Sequence, residues 1–162
     1  MNDSYIISKM SEYMFQLNQK MGKWLDKSLP QITNNWWQEL VLNNLSSLQK
    51  DKVEKSNIRN VAGLDLASLL RVFERNWFVI TSSFFVNNKE REKIRRMQKI
   101  RNDWAHITPQ DINKKKIIDD VNVIIELMQT FDATMKETRD MENFIFDIED
   151  DKELKIEPEK KI

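Results

Sequence analysis

The sequence of 162 residues contains no cysteine, one histidine, two glycines and three prolines. Without cysteine there can be no disulfide and no thiolate metal site. A zinc site built on a single histidine would need carboxylate ligands at a suitable spacing, and no such pattern occurs, so we expect no metal and no other cofactor. The few turn-forming residues disfavour β-sandwiches and barrels, which need many tight turns. The composition therefore favours an all-α fold.

A net charge and long apolar runs are missing as well. The 26 basic and 26 acidic residues cancel, so an argument for nucleic-acid binding must rest on local clustering of charge. No apolar run approaches the roughly 18 residues of a membrane span, and the first residues lack the pattern of a signal peptide. We therefore expect no membrane association. We predict a cytoplasmic location, since a chain without cysteine fits a reducing compartment.

Apolar residues recur at spacings of three and four, which is the pattern of amphipathic helices. The pattern predicts a bundle of about five helices, over residues 3–27, 34–49, 65–84 and 89–106 and in a long C-terminal helix. Pro30 is the predicted break after the first helix, and Asp65 is the predicted cap of the third. The predicted apolar face of the fourth consists of Ile94, Met97, Ile100, Trp104 and Ala105. Thr108 is the predicted cap of that last helix, Pro109 its first residue, and its apolar stripe runs from Ile117 to Met135. We predict a helical domain over residues 1–146 and a charged, acidic tail or linker over residues 147–162.

The predicted helix over residues 89–106 carries the chemically informative side chains. At 100° per residue, one sector roughly 80° wide collects a basic stripe that ends in the only histidine. The members of this sector are Arg91, Arg95, Lys99, Asn102 and His106. A solvated charged face is the alternative interpretation of the three basic residues. Arg101 falls about 140° and about 7.5 Å from His106 on an ideal helix, so an irregular helix end, a bent arginine side chain or a partner subunit would have to bring them together.

Arginine, asparagine and histidine together suit reactions at a phosphodiester. Histidine titrates near neutrality and can transfer a proton, arginine can bind phosphate oxygens bidentately, and asparagine can orient either group by hydrogen bonds. This set suffices for metal-independent RNA cleavage, in which a ribose 2′-hydroxyl attacks the adjacent phosphate and arginine stabilises the developing charge. The alternative is an ordinary surface histidine stabilised by the C-terminal end of a helix.

The segment RNDWAH, residues 101–106, resembles the R-x(4–6)-H signature of the HEPN superfamily. The order and spacing of four further segments resemble one branch, typified by the HEPN domain of a eukaryotic nuclear endoribonuclease of RNA quality control. These segments are WWQELVL (36–42), GLDLASLLRV (63–72), RNW (75–77) and MQKIRNDWAH (97–106). The resemblance covers residues 25–131. It implies a helical bundle, with the signature at the end of one long helix, and a homodimer whose two signatures meet in a shared groove.

Carried over by position, Arg101 and His106 match the catalytic pair of that family, and Asn102 matches the polar residue beside the arginine. We therefore expect an endoribonuclease acting on single-stranded RNA in phage defence or RNA quality control, with Arg91, Arg95 and Lys99 guiding the RNA. The alternatives are a non-catalytic RNA-binding or dimerisation module of a larger ATPase, helicase or defence protein, and a toxin held by an antitoxin. We expect Trp104 in the core. We expect Trp36, Trp37 and Trp77 either in the core or in a dimer contact.

Overall fold

The computed structural model describes residues 1–84 and 86–158. All regular secondary structure in these ranges is helical, which confirms the predicted all-α class. The α-helices are α1 (Asp3–Ser28), α2 (Ser47–Lys55), α3 (Leu66–Arg75), α4 (Trp77–Ser83), α5 (Lys89–Ala105), α6 (Lys114–Thr130) and α7 (Met135–Asp150). Short 3-10 or π turns occupy Leu29–Gln31, Trp37–Val41, Leu42–Asn44, Val61–Gly63 and Pro109–Asp111. None of the helices in these ranges has the length and apolar character needed to cross a membrane.

Helix α1 is the central element of the bundle and contacts α3, α5 and α6. Its apolar stripe is fully buried, as the periodicity predicts, at Ile6, Met10, Tyr13, Leu17, Met21 and Leu25. The turn Val61–Gly63 also packs on α1, where a Cβ atom on Gly22 would lie 2.6 Å from the Cα of Ala62. Asp26 accepts hydrogen bonds from the backbone N–H groups of Val61 (2.6 Å) and Ala62 (3.0 Å). Only a glycine allows α1 to approach this turn so closely.

Helix α5 lies against both α3 and α6, and it begins and ends within one residue of its prediction. The predicted apolar face is buried at Ile94, Met97, Ile100 and Trp104, whereas Ala105 is exposed. Trp104 is 6% exposed, which confirms its place in the core. This packing fixes the direction in which the last turn of α5 presents its polar side chains.

The predicted helix over residues 34–49 is replaced by a π turn and a 3-10 turn, and α2 begins only at Ser47. The side-chain amides of Asn44 and Asn76 both donate to the backbone carbonyl of Leu40, at 3.0 and 2.7 Å. The Leu40 carbonyl is thereby drawn into contacts outside a regular helical ladder. Trp36 and Trp37, in this same segment, are partly buried and pack edge to face.

The two remaining long helices of the prediction are each divided in two. The helix over residues 65–84 begins at its predicted cap, Asp65, and changes direction at Asn76, whose φ and ψ are −100° and 14°. The C-terminal helix is interrupted at Asp132, which has a positive φ of 66°. A reciprocal capping box of Thr134 and Glu137 then begins α7. Such a box is a strong helix start, so two α-helices replace the predicted long one.

The predicted helix start at Thr108 is also wrong. Pro109–Asp111 forms a single 3-10 turn, and Thr108 makes no capping hydrogen bond to the backbone. Its hydroxyl donates to the carboxylate of Asp111 instead, at 2.8 Å. The helix α6 begins six residues later, at Lys114, because Asn113 caps it by accepting from the Lys116 N–H.

The C-terminal segment differs from the predicted solvated tail. Helix α7 continues to Asp150, and Ile148 is fully buried, so the ordered structure extends past residue 146. Beyond α7 the chain returns to the start of α6, where the carbonyls of Lys155 and Ile156 accept from the N–H groups of Lys114 and Lys115. Residues 159–162 of the predicted tail lie outside the described part of the chain.

Candidate functional site

His106 forms the C-terminal cap of α5, and its backbone N–H donates to the Asp103 carbonyl at 3.2 Å. Its side chain is exposed and lines a groove of 760 Å³ between the end of α5 and the start of α6. The charged side chains of this groove are Arg96, Lys99, Lys115, Lys116, Asp103, Asp111, Asp119 and Asp120. The only histidine of the chain thus faces a wide, open and highly charged groove.

The three residues predicted to be catalytic are divided between this groove and its edge. Asn102 and His106 both line the groove, as their i,i+4 spacing predicts. Arg101 is not among the residues that line it. The Arg101 guanidinium instead donates from Nη1 to Oδ1 of Asn102, at 3.1 Å. Within one chain, therefore, Arg101 contacts Asn102 and not the imidazole, in keeping with the angle between the two positions on the helix.

A partly buried polar cluster joins the last turn of α5 to α6. The Lys116 ammonium group contacts Oδ2 of Asp103 at 2.9 Å and Oδ2 of Asp120 at 3.0 Å. Asp120 also accepts a hydrogen bond of 2.8 Å from the indole nitrogen of Trp104. Two consecutive residues of the 101–106 segment, Asp103 and Trp104, are thereby tied to α6.

The contacts in this cluster shift the pKa values of Asp103 and Lys116 so that both charged forms are favoured. Burial acts to raise the pKa of Asp103, but hydrogen bonds from Lys99 and Lys116 hold it below its ordinary value. Burial likewise acts to lower the pKa of Lys116, but its hydrogen bonds to Asp103 and Asp120 raise it above the ordinary value. At neutral pH the aspartate and the lysine are consequently a charged pair.

The basic stripe predicted to guide RNA exists on α5, but acidic neighbours compensate its charge. Arg91 and Arg95 both donate from Nε to the same oxygen of Glu74, at 3.2 and 2.9 Å. The other carboxylate oxygen of Glu74 is buried without a hydrogen-bond partner. Lys99 pairs with Asp103 at 2.8 Å. The roles of these three basic residues in RNA binding stay predictions, and any such role requires the RNA to compete with carboxylates.

The sequence interpretation missed Lys116 and Asp120. Their i,i+4 spacing on a helix was a visible local signal for an ion pair. Their contacts with Asp103 and Trp104 join two separate helices, and no local pattern reveals such contacts. Across the described ranges 1–84 and 86–158, no group of three or more acidic or histidine side chains is placed to hold a metal ion.

A family model described as Swt1-like HEPN matches residues 12–132 of the chain. The match contains most of α1 and all of α2 to α6, and with them the groove-lining end of α5. No curated protein and no solved structure shows significant similarity to the chain. HEPN domains are often RNases, so the family has a generally nuclease-like character. The matched segment covers well over half of the sequence, and the chain belongs to the Swt1-like HEPN family of the HEPN superfamily.

Proposed function

We propose that the protein is a metal-independent endoribonuclease that cleaves single-stranded RNA at a site formed by two copies of the chain. One observation carries this proposal. The C-terminal turn of α5 presents His106 and Asn102 to an open groove with three exposed basic side chains, those of Arg96, Lys99 and Lys115, in a family whose members are often RNases. A proton-transferring imidazole beside cationic groups is the combination that phosphodiester cleavage by a 2′-hydroxyl requires.

In the proposed reaction the ribose 2′-oxygen forms a bond to phosphorus while the bond to the 5′-oxygen of the next nucleotide breaks. The products are a 2′,3′-cyclic phosphate and a free 5′-hydroxyl. The His106 imidazole either accepts the proton of the attacking 2′-hydroxyl or donates a proton to the departing 5′-oxygen. Solvent water makes the complementary transfer, so one proton leaves the 2′-oxygen and one reaches the 5′-oxygen. Arg101 binds a non-bridging phosphate oxygen, and Asn102 orients the phosphate or the imidazole by a hydrogen bond.

The position of Arg101 supports a site shared between two chains. Arg101 is not among the residues that line the groove of His106 and instead binds Asn102 at 3.1 Å. In this conformation of one copy the two side chains do not face the same groove. In a two-fold symmetric dimer with the α5 ends facing each other, Arg101 of one copy would serve the groove of the other. Arg91, Arg95 and Lys99 would guide the RNA backbone along α5 toward this site.

The direct test is cleavage of a single-stranded RNA in EDTA by the wild-type protein and by His106→Ala. We expect the substitution to lower the cleavage rate by about 100-fold or more, since general acid–base catalysis contributes that much. Gln110→Ala, an exposed change after the same helix, is the matched control and should cleave like the wild type. Equal cleavage by both proteins, or no cleavage by the wild type at high concentration, would contradict the proposal.

The shared site has its own test, which mixes two inactive variants. Arg101→Ala and His106→Ala should each be inactive alone. Random subunit exchange makes half of the dimers mixed, and each mixed dimer has one intact site of two, so about a quarter of the wild-type activity should return. If both variants are dimeric and the mixture stays inactive, the arginine and the histidine do not act across the interface.

The second candidate is a non-catalytic module that binds RNA or dimerises within a larger ATPase, helicase or defence protein. The pairing of Arg91 and Arg95 with Glu74 favours it, because charge-compensated arginines suit modest, salt-sensitive RNA retention. This candidate predicts that His106→Ala leaves RNA affinity and dimer formation unchanged while the wild type cleaves nothing. A toxin held by an antitoxin is a third context, and it predicts growth arrest on expression that a neighbouring gene relieves.

A further inference from the structure

We propose that Lys116 is a positioning residue for His106, which it holds in place through Asp103 and through Asp120 beneath Trp104. This inference rests on the proposed function for its consequences in catalysis. Its structural part is that contacts from α6 hold the end of α5, which carries the imidazole. This part does not depend on whether the protein cleaves RNA. It assigns a role to a residue of α6, outside the 101–106 segment.

The Lys116 ammonium group joins two carboxylates that belong to different helices. It contacts Asp103 on α5 at 2.9 Å and Asp120 on its own helix at 3.0 Å. Asp120 in turn holds the Trp104 indole at 2.8 Å. The last turn of α5 is thus fastened to α6 at two consecutive residues by charge-assisted hydrogen bonds, which are the stronger kind.

The fastened residues lie three and two positions before His106, in the last turn of α5. The backbone carbonyl of Asp103 accepts the N–H of His106, so a displaced Asp103 displaces the histidine with it. His106 itself is exposed and adopts a non-helical conformation, with φ of −124° and ψ of 22°. Helix ends fray when their last turn has no tertiary contacts. The contacts from α6 therefore hold the backbone from which the imidazole projects into the groove.

Lys116 is poorly placed to bind RNA itself. Its side chain is only 21% exposed, and its two carboxylate partners and the Trp104 ring, 5.9 Å away, surround the ammonium group. Lys115, the next residue, provides the contrast. Its side chain is 62% exposed and pairs only with Asp119, at 3.0 Å, in the described structure. One of two adjacent lysines of the same groove is thus enclosed, and the other is open to a ligand.

Because the chain has a single histidine, the imidazole Cε1–H gives one unambiguous signal in a proton–carbon NMR spectrum of protein carrying no histidine tag. The variants are Lys116→Met and, as its matched control, Lys115→Met. We expect Lys116→Met to shift and broaden the imidazole signal, and Lys115→Met to leave it unchanged. Lys116→Arg, which keeps the charge and the donors, should restore the wild-type signal.

Cleavage kinetics supply the second readout. Misplacing a catalytic group lowers turnover and not substrate binding, so kcat of Lys116→Met should fall by about 10- to 100-fold with little change in KM. Lys115→Met should instead raise KM, because it removes an accessible phosphate contact. A rise in KM alone for Lys116→Met would make Lys116 an RNA ligand and overturn the inference.

The two readouts separate this inference from the proposed function. If the wild type cleaves no RNA but Lys116→Met disturbs the imidazole signal, the proposed function fails and the positioning role stands. If the signal and kcat are both unchanged in Lys116→Met, the positioning role is refuted. Should Lys116→Met fail to fold, Asp103→Asn cuts the same link from the α5 side at a partly exposed residue, and an unchanged imidazole signal in that variant refutes the role.

Discussion

The hydrogen bond between the Trp104 indole and the Asp120 carboxylate should make a large, measurable contribution to stability. The Nε1–Oδ2 distance is 2.8 Å, and the two residues are 6% and 7% exposed. Trp104→Phe removes the donor and keeps an aromatic ring in the core. Asp120→Ala removes the acceptor. The two single variants and the double variant form a cycle that isolates the interaction of the pair.

The magnitude follows from the burial and the charge of the pair. A hydrogen bond to a charged group contributes about 1.5–3 kcal/mol net, and a buried donor left without a partner costs about 1–3 kcal/mol. Asp120→Ala leaves the indole N–H of Trp104 buried without an acceptor and removes one of the two carboxylates that contact Lys116. Asp120→Ala should therefore lower the free energy of unfolding by about 2–4 kcal/mol, and the coupling energy of the cycle should be about 1.5–3 kcal/mol.

The assay is urea unfolding followed by far-UV circular dichroism at one fixed protein concentration, since a dimer makes stability depend on concentration. The control cycle pairs Trp104→Phe with Asp119→Ala, an ion-paired but more exposed carboxylate that makes no bond to the indole. Its coupling should stay within about 0.5 kcal/mol of zero. A coupling of that size for Asp120 as well would show that the hydrogen bond contributes nothing net, and the reasoning would be refuted.

Three further changes follow from particular contacts. Gly22→Ala should lower the free energy of unfolding by about 1–3 kcal/mol, despite the better helix propensity of alanine, because the new methyl group meets the Ala62 backbone at 2.6 Å. Chemical denaturation measures this loss, with Lys23→Ala at the next, exposed position of α1 as the control. Because the pKa of Asp103 is lowered in the folded protein, the ionised carboxylate stabilises the folded state at pH values above the ordinary 3.8. This stabilisation is lost as the pH falls through the lowered pKa. The destabilisation caused by Asp103→Asn should therefore shrink as the pH falls below 3.8, and a constant difference would contradict the ion pairs with Lys99 and Lys116. Glu74→Gln should remove the carboxylate that neutralises Arg91 and Arg95. Fluorescence anisotropy should then show tighter RNA binding with a steeper salt dependence. Unchanged RNA binding would show that Arg91 and Arg95 do not contact the RNA.

The elements that could be predicted from the sequence are those determined by local patterns. The apolar stripe of α1 and the break at Pro30 define one long helix, and the stripe of α5 defines another. Asp65 acts as the predicted cap, because a side-chain acceptor before an apolar run needs no distant partner. Asn102 and His106 share the groove because one helical turn separates them.

One error arises where a contact distant in sequence overrides the local pattern. Asn76, far along the chain, binds the Leu40 carbonyl and lies at the π turn where a regular helix was predicted. The interruption at Asp132 is different, because a local signal existed. Thr134 and Glu137 have the spacing of a capping box and mark a new helix. The apolar stripe that continues across them predicts one uninterrupted helix instead.

The residues between Arg101 and His106 show why a short signature is more than its two ends. Trp104 faces the core and Asp103 lines the groove of His106. Their side chains bind Asp120 and Lys116 of α6. The spacer therefore connects the proposed catalytic residue to the bundle, and its composition matters for the direction of the histidine. Replacing the spacer by residues of equal helix propensity but without these contacts should preserve the helix and the spacing, and still lose the fixed imidazole signal.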